Sequence, residues 1–327
     1  MKQKINYRYL IYALMLLVAL IYPLLVSQQY YVHVFIMIFI FAAVGVGWNL
    51  ISGYAAQLSL GHSAFFAIGA YSAVLLVTYK NLTPFIGGLL GILLAIIAAL
   101  IIGYPCFRLR GPYFTLATIA SAEIIRILLL HFQNFTGGAN GVSIPFKGQQ
   151  PLFLQFYDKA PYYYLALGLL LVVLILANKV QKARIGYYLT AIREDQDAAE
   201  SLGIKTHQVK LAALLISAAI TAVAGILYAF VIGYIDPDSV GGLNLSIEFA
   251  VIAIVGGIGT LWGPVIGSAV VILLTELTNM YLGSARSGIS MALYGLLLIF
   301  VIILRPKGLI SLFSRNPRNK GLKEGKF

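Results

Sequence analysis

Thirteen residues, Ala191-Ile-Arg-Glu-Asp-Gln-Asp-Ala-Ala-Glu-Ser-Leu-Gly203, hold one arginine and four carboxylates in a chain of which only 10% is charged. They lie between two long apolar segments. Their chemistry is recognition by charge and hydrogen bonding. Thr190 can cap a helix, and Glu194, Asp195 and Asp197 then fall in its first two turns, where the helix dipole favours acids. Ala191, Ile192, Ala198, Ala199 and Leu202 share one face, broken by Asp195, and Gly203 supplies a C-terminal stop. The spacing predicts one helix of about 13 residues with a shallow apolar face. Such a helix is marginal alone in water. It is either a solvated linker or an element that docks into a partner's groove, and the apolar face and defined stop favour docking.

A second set lies further upstream. Thr115, Thr118, Ala122 and Arg126 recur on one helical stripe, with Glu123 beside it. Ionisable groups at membrane depth are costly and face a bundle interior or an aqueous path. Glu123 and Arg126, three residues apart, can neutralise each other. They read either as a structural ion pair near the external interface or, with the threonines, as the lining of a translocation path. Glu248 and Glu276 sit near span ends and can reach the headgroups. His62 and Asn49 are lone polar residues beside glycines and suit helix-to-helix hydrogen bonds.

No H-E-x-x-H, G-x-S-x-G or phosphate-binding G-x-x-x-x-G-K-[S/T] occurs, and no apolar span holds paired acids. The single Cys106 excludes an intrachain disulfide and multi-cysteine metal sites. The expectation is therefore a chain that is not an enzyme and carries no metal and no cofactor.

The elements that position these residues follow from composition. The chain has 327 residues, 60% of them hydrophobic, against about half apolar and a quarter charged in soluble domains. A bilayer span needs roughly 20 apolar residues, and such runs recur. The fold class expected is all-α, a polytopic transmembrane helix bundle of about 8–10 spans. Ten candidates fall near 8–26, 32–52, 58–78, 84–105, 113–132, 161–180, 209–234, 245–262, 264–282 and 289–304. The second and third, or the eighth and ninth, can instead form broken or re-entrant elements. The first run, 7–26, is long for a signal peptide and reads as a retained span.

Positive charge orients the bundle. With the N-terminus inside, Lys2, Lys4, Arg8, Arg108, Arg110, Lys179, Lys182, Arg184, Arg193, Lys205, Lys210 and seven tail residues are cytoplasmic, 18 in all. Lys80, Lys147, Lys159 and Arg286, four residues, are external. This bias is the positive-inside pattern. It puts both termini in the cytoplasm, with a cytoplasmic loop at about 181–208, a basic tail at 305–327 and a long external loop at about 133–160. The net charge of +12 thus reflects topology and a lipid bilayer partner, with no nucleic acid implied. No segment outside the spans is long enough to bury its own core, so residues 1–327 read as a single transmembrane domain.

Glycines recur at helix-packing spacing. Gly61 and Gly69 are eight apart, Gly259, Gly263 and Gly267 four apart. Small residues so spaced let helix backbones approach closely.

Several stretches together carry a family likeness. They are Leu58-Ser-Leu-Gly-His-Ser-Ala-Phe-Phe-Ala-Ile-Gly-Ala-Tyr71, Arg110-Gly-Pro-Tyr-Phe-Thr-Leu-Ala-Thr-Ile-Ala120, Thr136-Gly-Gly138, Ala191-Ile-Arg-Glu-Asp195 with Ala198-Ala-Glu-Ser-Leu-Gly203, and Val255-Gly-Gly-Ile-Gly-Thr260 with Gly263-Pro264. In this order the chain resembles the inner-membrane permease subunits of bacterial branched-chain amino acid ABC importers, along nearly its whole length. Such permeases carry an E-A-A-x-x-x-G loop, which Asp197-Ala-Ala-Glu-Ser-Leu-Gly203 fits with Asp in place of Glu. The resemblance implies that this loop is the coupling helix, so Arg193, Glu194, Asp195, Asp197, Ala198, Ala199 and Gly203 are the expected ATPase-coupling set. It also implies two ABC ATPase subunits, a second permease subunit (self or paralogue), an extracytoplasmic solute-binding protein and a location in the bacterial inner membrane. Relatives that import urea share much of the pattern, so another small solute stays open. An ion-coupled secondary transporter would need buried acids or half-helices at the midplane, which only Glu123 approaches.

Overall fold

A computed structural model describes residues 17–26, 28–146, 148–282, 295–296 and 308–312. About four-fifths of them are helical. Residues 17–25 form α1. There follow α2 (Gln29–Ser52), α3 (His62–Lys80), α4 (Pro84–Cys106), α5 (Pro112–His131), the short α6 (Gln133–Thr136), α7 (Ala160–Lys182), α8 (Arg184–Glu194), α9 (Gln196–Ser201), α10 (Thr206–Ile232), the short α11 (Pro237–Gly241), α12 (Leu243–Gly257) and α13 (Gly263–Leu282). Seven helical stretches among the described residues are long and apolar enough to cross a bilayer, with α11 and α12 together making one of them. The first predicted span survives in the described residues as α1 and the tenth as helical residues 295–296. The rest of both, and almost all of the basic tail, lie outside the described residues.

The helix α2 is hydrophobic all round and nearly wholly buried, as a central helix must be. It packs against α7, α10, α12 and α13, while α3 fills the space between α10 and α4. Prolines open α4, α5 and α11, where their missing N–H costs nothing. A two-residue antiparallel pair, β1 (Val142–Ser143) with β2 (Tyr234–Ile235), ties the loop after α6 to the exit of α10. The bundle thus has two ends. One gathers the turns after α2, α4, α7 and α12; the other holds residues 132–159 and 233–242.

Two predicted spans start or stop elsewhere. The third begins at His62, not near 58, because residues 58–60 are non-helical, with Ser59 buried in the bundle. Their backbone is satisfied from the side: Trp48 Nε1 donates to Ser59 O at 2.7 Å, Thr115 Oγ1 to Leu58 O at 2.8 Å, and Leu60 N to Thr118 Oγ1 at 3.1 Å. Irregular backbone survives within a membrane protein only when paired this way. The eighth starts at Pro237 on an Asp236 capping box and ends at Gly257, φ +134°. Residues 258–262 form a turn in place of a last helical turn.

The glycines divide accordingly. A Cβ on Gly69 would overlap the α10 backbone at Ala222, and one on Gly267 the α12 backbone at Ile252, so these two close helix pairs as expected. Gly61 precedes α3 and lies against Thr118 of α5. Gly263 begins α13 against Gly257. Gly259 packs no helix: it sits in the 258–262 turn at φ +75°, with the Arg193 guanidinium where a Cβ would go.

Candidate functional site

The charged loop is two helices, not one. The chain leaves α7 at Ala183 and turns into α8, whose Leu189 and Ile192 are buried against the bundle. Thr190 is interior to α8 and its hydroxyl donates to Gly186 O, so it caps nothing. Asp195 breaks the helix. It adopts an extended conformation and its carboxylate accepts from Asp197 N at 2.9 Å and Ala198 N at 3.0 Å, capping α9. An aspartate offers the backbone this alternative to continuing the helix.

The break rephases the apolar residues. Ile192 and Ala199 face the bundle, whereas Ala198 is exposed and Leu202 is 83% exposed. The single predicted stripe is thus split into an anchored face and an outward one. The outward face carries Ala198 and Leu202 among Glu194, Asp195, Asp197 and Glu200, all exposed. Gly203 ends α9 at φ +83°, with Gly203 N donating to Glu200 O and Ile204 N to Ala199 O. It is the glycine stop expected from the sequence.

Polar contacts fix α9 to the bundle. Arg110, in the turn after α4, pairs with Asp197 at 2.8 Å. That partner raises the guanidinium pKa. Lys210 Nζ donates to Gln196 Oε1 at 3.1 Å, and Thr206 Oγ1 and Gln196 Nε2 donate to Glu200 at 2.6 and 2.9 Å. The Thr206 hydroxyl first, then the Gln196 amide, hold the Glu200 carboxyl below the usual carboxylate range. Sequence reasoning read Arg110 and Lys210 only as topology charges. Arg110 lies 87 residues from its partner Asp197 and Lys210 14 from Gln196, which leaves no helical-spacing signal.

Arg193 is exposed along its side chain but points its guanidinium at the bundle. Its Nη1 donates to Gly53 O at 3.4 Å and lies against Gly259. Asn49 joins the same two turns, accepting from Gly259 N and donating to Thr260 O, each at 2.8 Å. The base of the loop is thereby tied to the ends of both α2 and α12. Asn49 was expected to bridge helices; it bridges a helix to a turn.

The upstream set is brought together only in part. Thr115 and Thr118 spend their hydroxyls on backbone, Thr115 on Leu58 O and Thr118 on Thr115 O. Glu123 and Arg126 form the expected pair. A third member, Asp238 of α11, also accepts from Arg126, and this links α5 to α11. Asp238 lies 112 residues away in sequence, beyond the reach of any helical-spacing argument. Nearby, His62 joins α3 to α10. Ser217 Oγ donates to Gly47 O, so His62 Nε2–H donates to Ser217 and Nδ1 accepts from Ser59.

A family model described as branched-chain amino acid transport system / permease component matches residues 30–302. The chain is 32% identical over 319 residues to the high-affinity branched-chain amino acid transport system permease protein LivM of Salmonella typhimurium, covering 90% of this chain and 73% of that one. It is 25% identical over 285 residues to LivH of Escherichia coli K12, covering 83% and 91%. Among solved structures, PsaBC from Streptococcus pneumoniae in complex with Fab aligns with TM-score 0.49 at 15% identity, covering 90% of this chain and 99% of that one. On the extent of the family match and of the likeness to LivM, the chain belongs to the permease-component family of branched-chain amino acid transport systems.

Proposed function

We propose that this chain is the membrane-spanning permease subunit of an ABC importer that carries branched-chain amino acids into the cytoplasm. The observation that carries the reading is α9. A capped, glycine-terminated helix projects Ala198 and Leu202 away from a bundle against which Leu189, Ile192 and Ala199 of the same loop are buried. An exposed apolar pair rimmed by acids suits a groove on a partner subunit. Two ATPase subunits, a second permease subunit and an extracytoplasmic binding protein complete the assembly, and the ATPases, not this chain, hydrolyse ATP. Arg108, Arg110, Lys179, Lys182, Arg184, Arg193, Lys205 and Lys210 gather on the α9 end, and this positive charge supports a cytoplasmic side for that end.

The mechanism follows from what α9 is tied to. Movement of the ATPase grooves pushes α9 and α8 as one unit, because Leu189, Ile192 and Ala199 are packed on the bundle. Arg193 and Asn49 pass that displacement to the ends of α2 and α12. The solute path runs beside α5, past Thr115, Thr118 and the non-helical 58–60 segment. Glu123, Arg126 and Asp238 form one paired cluster near the external end, in which the single guanidinium offsets one of the two carboxylate charges.

Uptake of radiolabelled leucine by vesicles holding the whole assembly tests this. Leu202→Asp should abolish uptake while insertion is unchanged. Uptake that continues without the ATPase subunits would refute the proposal.

A further inference from the structure

Below the loop, a cleft of about 630 Å³ opens between the end of α4 and the start of α10, lined by Tyr104, Arg108, Lys205, His207, Leu211 and Glu200. Its charge is lopsided. Arg108 and Lys205 stand against the single carboxylate of Glu200, which already accepts from Thr206 and Gln196. Arg108 stacks its guanidinium 5.4 Å from the Tyr104 ring, and His207 Nε2–H donates to Tyr104 O at 2.9 Å.

The cleft continues an apolar track. Leu93, Ile97, Ile101 and Tyr104 lie on one face of α4 at spacings of three and four, and all are exposed. From Leu93 to Tyr104 that face rises about 16 Å at 1.5 Å per residue. This is close to half of the roughly 30 Å hydrocarbon core, the depth of one leaflet. One helical turn beyond Tyr104 comes Arg108. The exposed apolar face continues back through Leu90, Leu89 and Ile86, so α4 offers a lipid-facing surface along its length. Its last stretch of about 16 Å, ending at an interfacial aromatic and then a basic cleft, matches one phospholipid. Tyr104 sits where aromatic belts sit, and basic pockets between membrane helices take anionic headgroups.

We propose that this cleft binds the headgroup of an anionic phospholipid, with the phosphate between Arg108 and Lys205 and an acyl chain along Leu93, Ile97 and Ile101. The site depends on the chain spanning a bilayer and not on the solute transported.

The test is lipid retention by the full assembly. The protein is reconstituted in nanodiscs of equal phosphatidylglycerol and phosphatidylcholine with matched chains, released, and its bound lipid weighed by native mass spectrometry. Two basic groups at the surface predict a preference for phosphatidylglycerol on the order of tenfold. Arg108→Gln with Lys205→Gln should abolish the preference, and Glu200→Gln should increase it. High salt should weaken it in the unaltered protein, which needs no variant to fold. Equal retention of the two lipids, or a preference that survives the double substitution, would overturn the proposal. So would displacement of the lipid by millimolar inorganic phosphate, which would mark a soluble-anion site. Loss of the ATPase subunits from the double variant in both lipids would instead mark a protein-docking surface and overturn it equally.

Discussion

Both ends of the bundle use an arginine to join two helices, but they do so differently. At the α9 end, Arg110 meets Asp197 with side chains 60% and 71% exposed. At the opposite end, Arg126 is 22% exposed and is held by both Glu123 and Asp238. Exposed pairs are screened and contribute little, while partly buried, multiply bonded ones resist separation. The α9 end is therefore the more weakly ion-paired of the two, its tie to the bundle resting on hydrogen bonds and packed side chains. The α5–α11 end is braced. A transporter driven from one side needs this asymmetry.

The comparison breaks most easily at α9. Leu202→Asp together with Ala198→Asp should cut leucine uptake by at least about 30-fold, the loss expected when an interface anchor is removed. The melting temperature should not move, because neither side chain packs on the bundle. A fall in melting temperature would show that this face is not free.

At the braced end the pattern should reverse. Arg126→Gln leaves Glu123 without its main donor and should lower stability by about 1 kcal/mol after allowance for solvent screening. Glu123→Gln added to it should recover part of that loss, as a thermal-unfolding cycle would show. A smaller effect is expected at the helix break. Asp195→Ala removes the α9 cap, worth about 1 kcal/mol locally. It should speed hydrogen exchange at Asp197 and Ala198 with little change in global unfolding.

The folded state of the loop was legible in part. Composition and charge asymmetry place the spans and the loop, because burial and topology act on whole segments. Gly203 was legible because a helix stop is a local matter. The two-helix break was not. Both one helix and two satisfy the apolar spacing, and only the carboxylate of Asp195 decides between them. Arg110, Lys210 and Asp238 were invisible as site residues because their partners come from other elements. Arg193 was legible as charged but not as directed at the bundle, since its acceptors are backbone atoms at Gly53 and a glycine turn at 259.

The smallest expected effects concern the exposed charges. Arg110→Gln should change uptake by less than about threefold and reduce its sensitivity to salt. The Glu200 carboxyl titrates below its ordinary value because Thr206 and Gln196 donate to it. Its contribution to loop order is complete above the ordinary carboxylate pKa and lost as the pH falls through the lowered one. Exchange rates at residues 204–206 should be flat from pH 7 to pH 5, after correction for intrinsic chemistry, and rise only in stronger acid.

The central claim, that α9 is what the ATPase grips, can be tested by thiol cross-linking. Cys106 is the chain's sole cysteine and is buried, so a cysteine placed at Leu202 is the accessible thiol. A second probe at Leu152, 69% exposed at the braced end, serves as the contrast. In the assembled transporter, a short thiol-to-amine cross-linker should join Leu202→Cys to the ATPase subunit, with a yield that changes when ATP is added, and should leave Leu152→Cys unjoined. Cross-linking from position 152, or none from position 202 in an assembly that still imports leucine with ATP, would contradict the account.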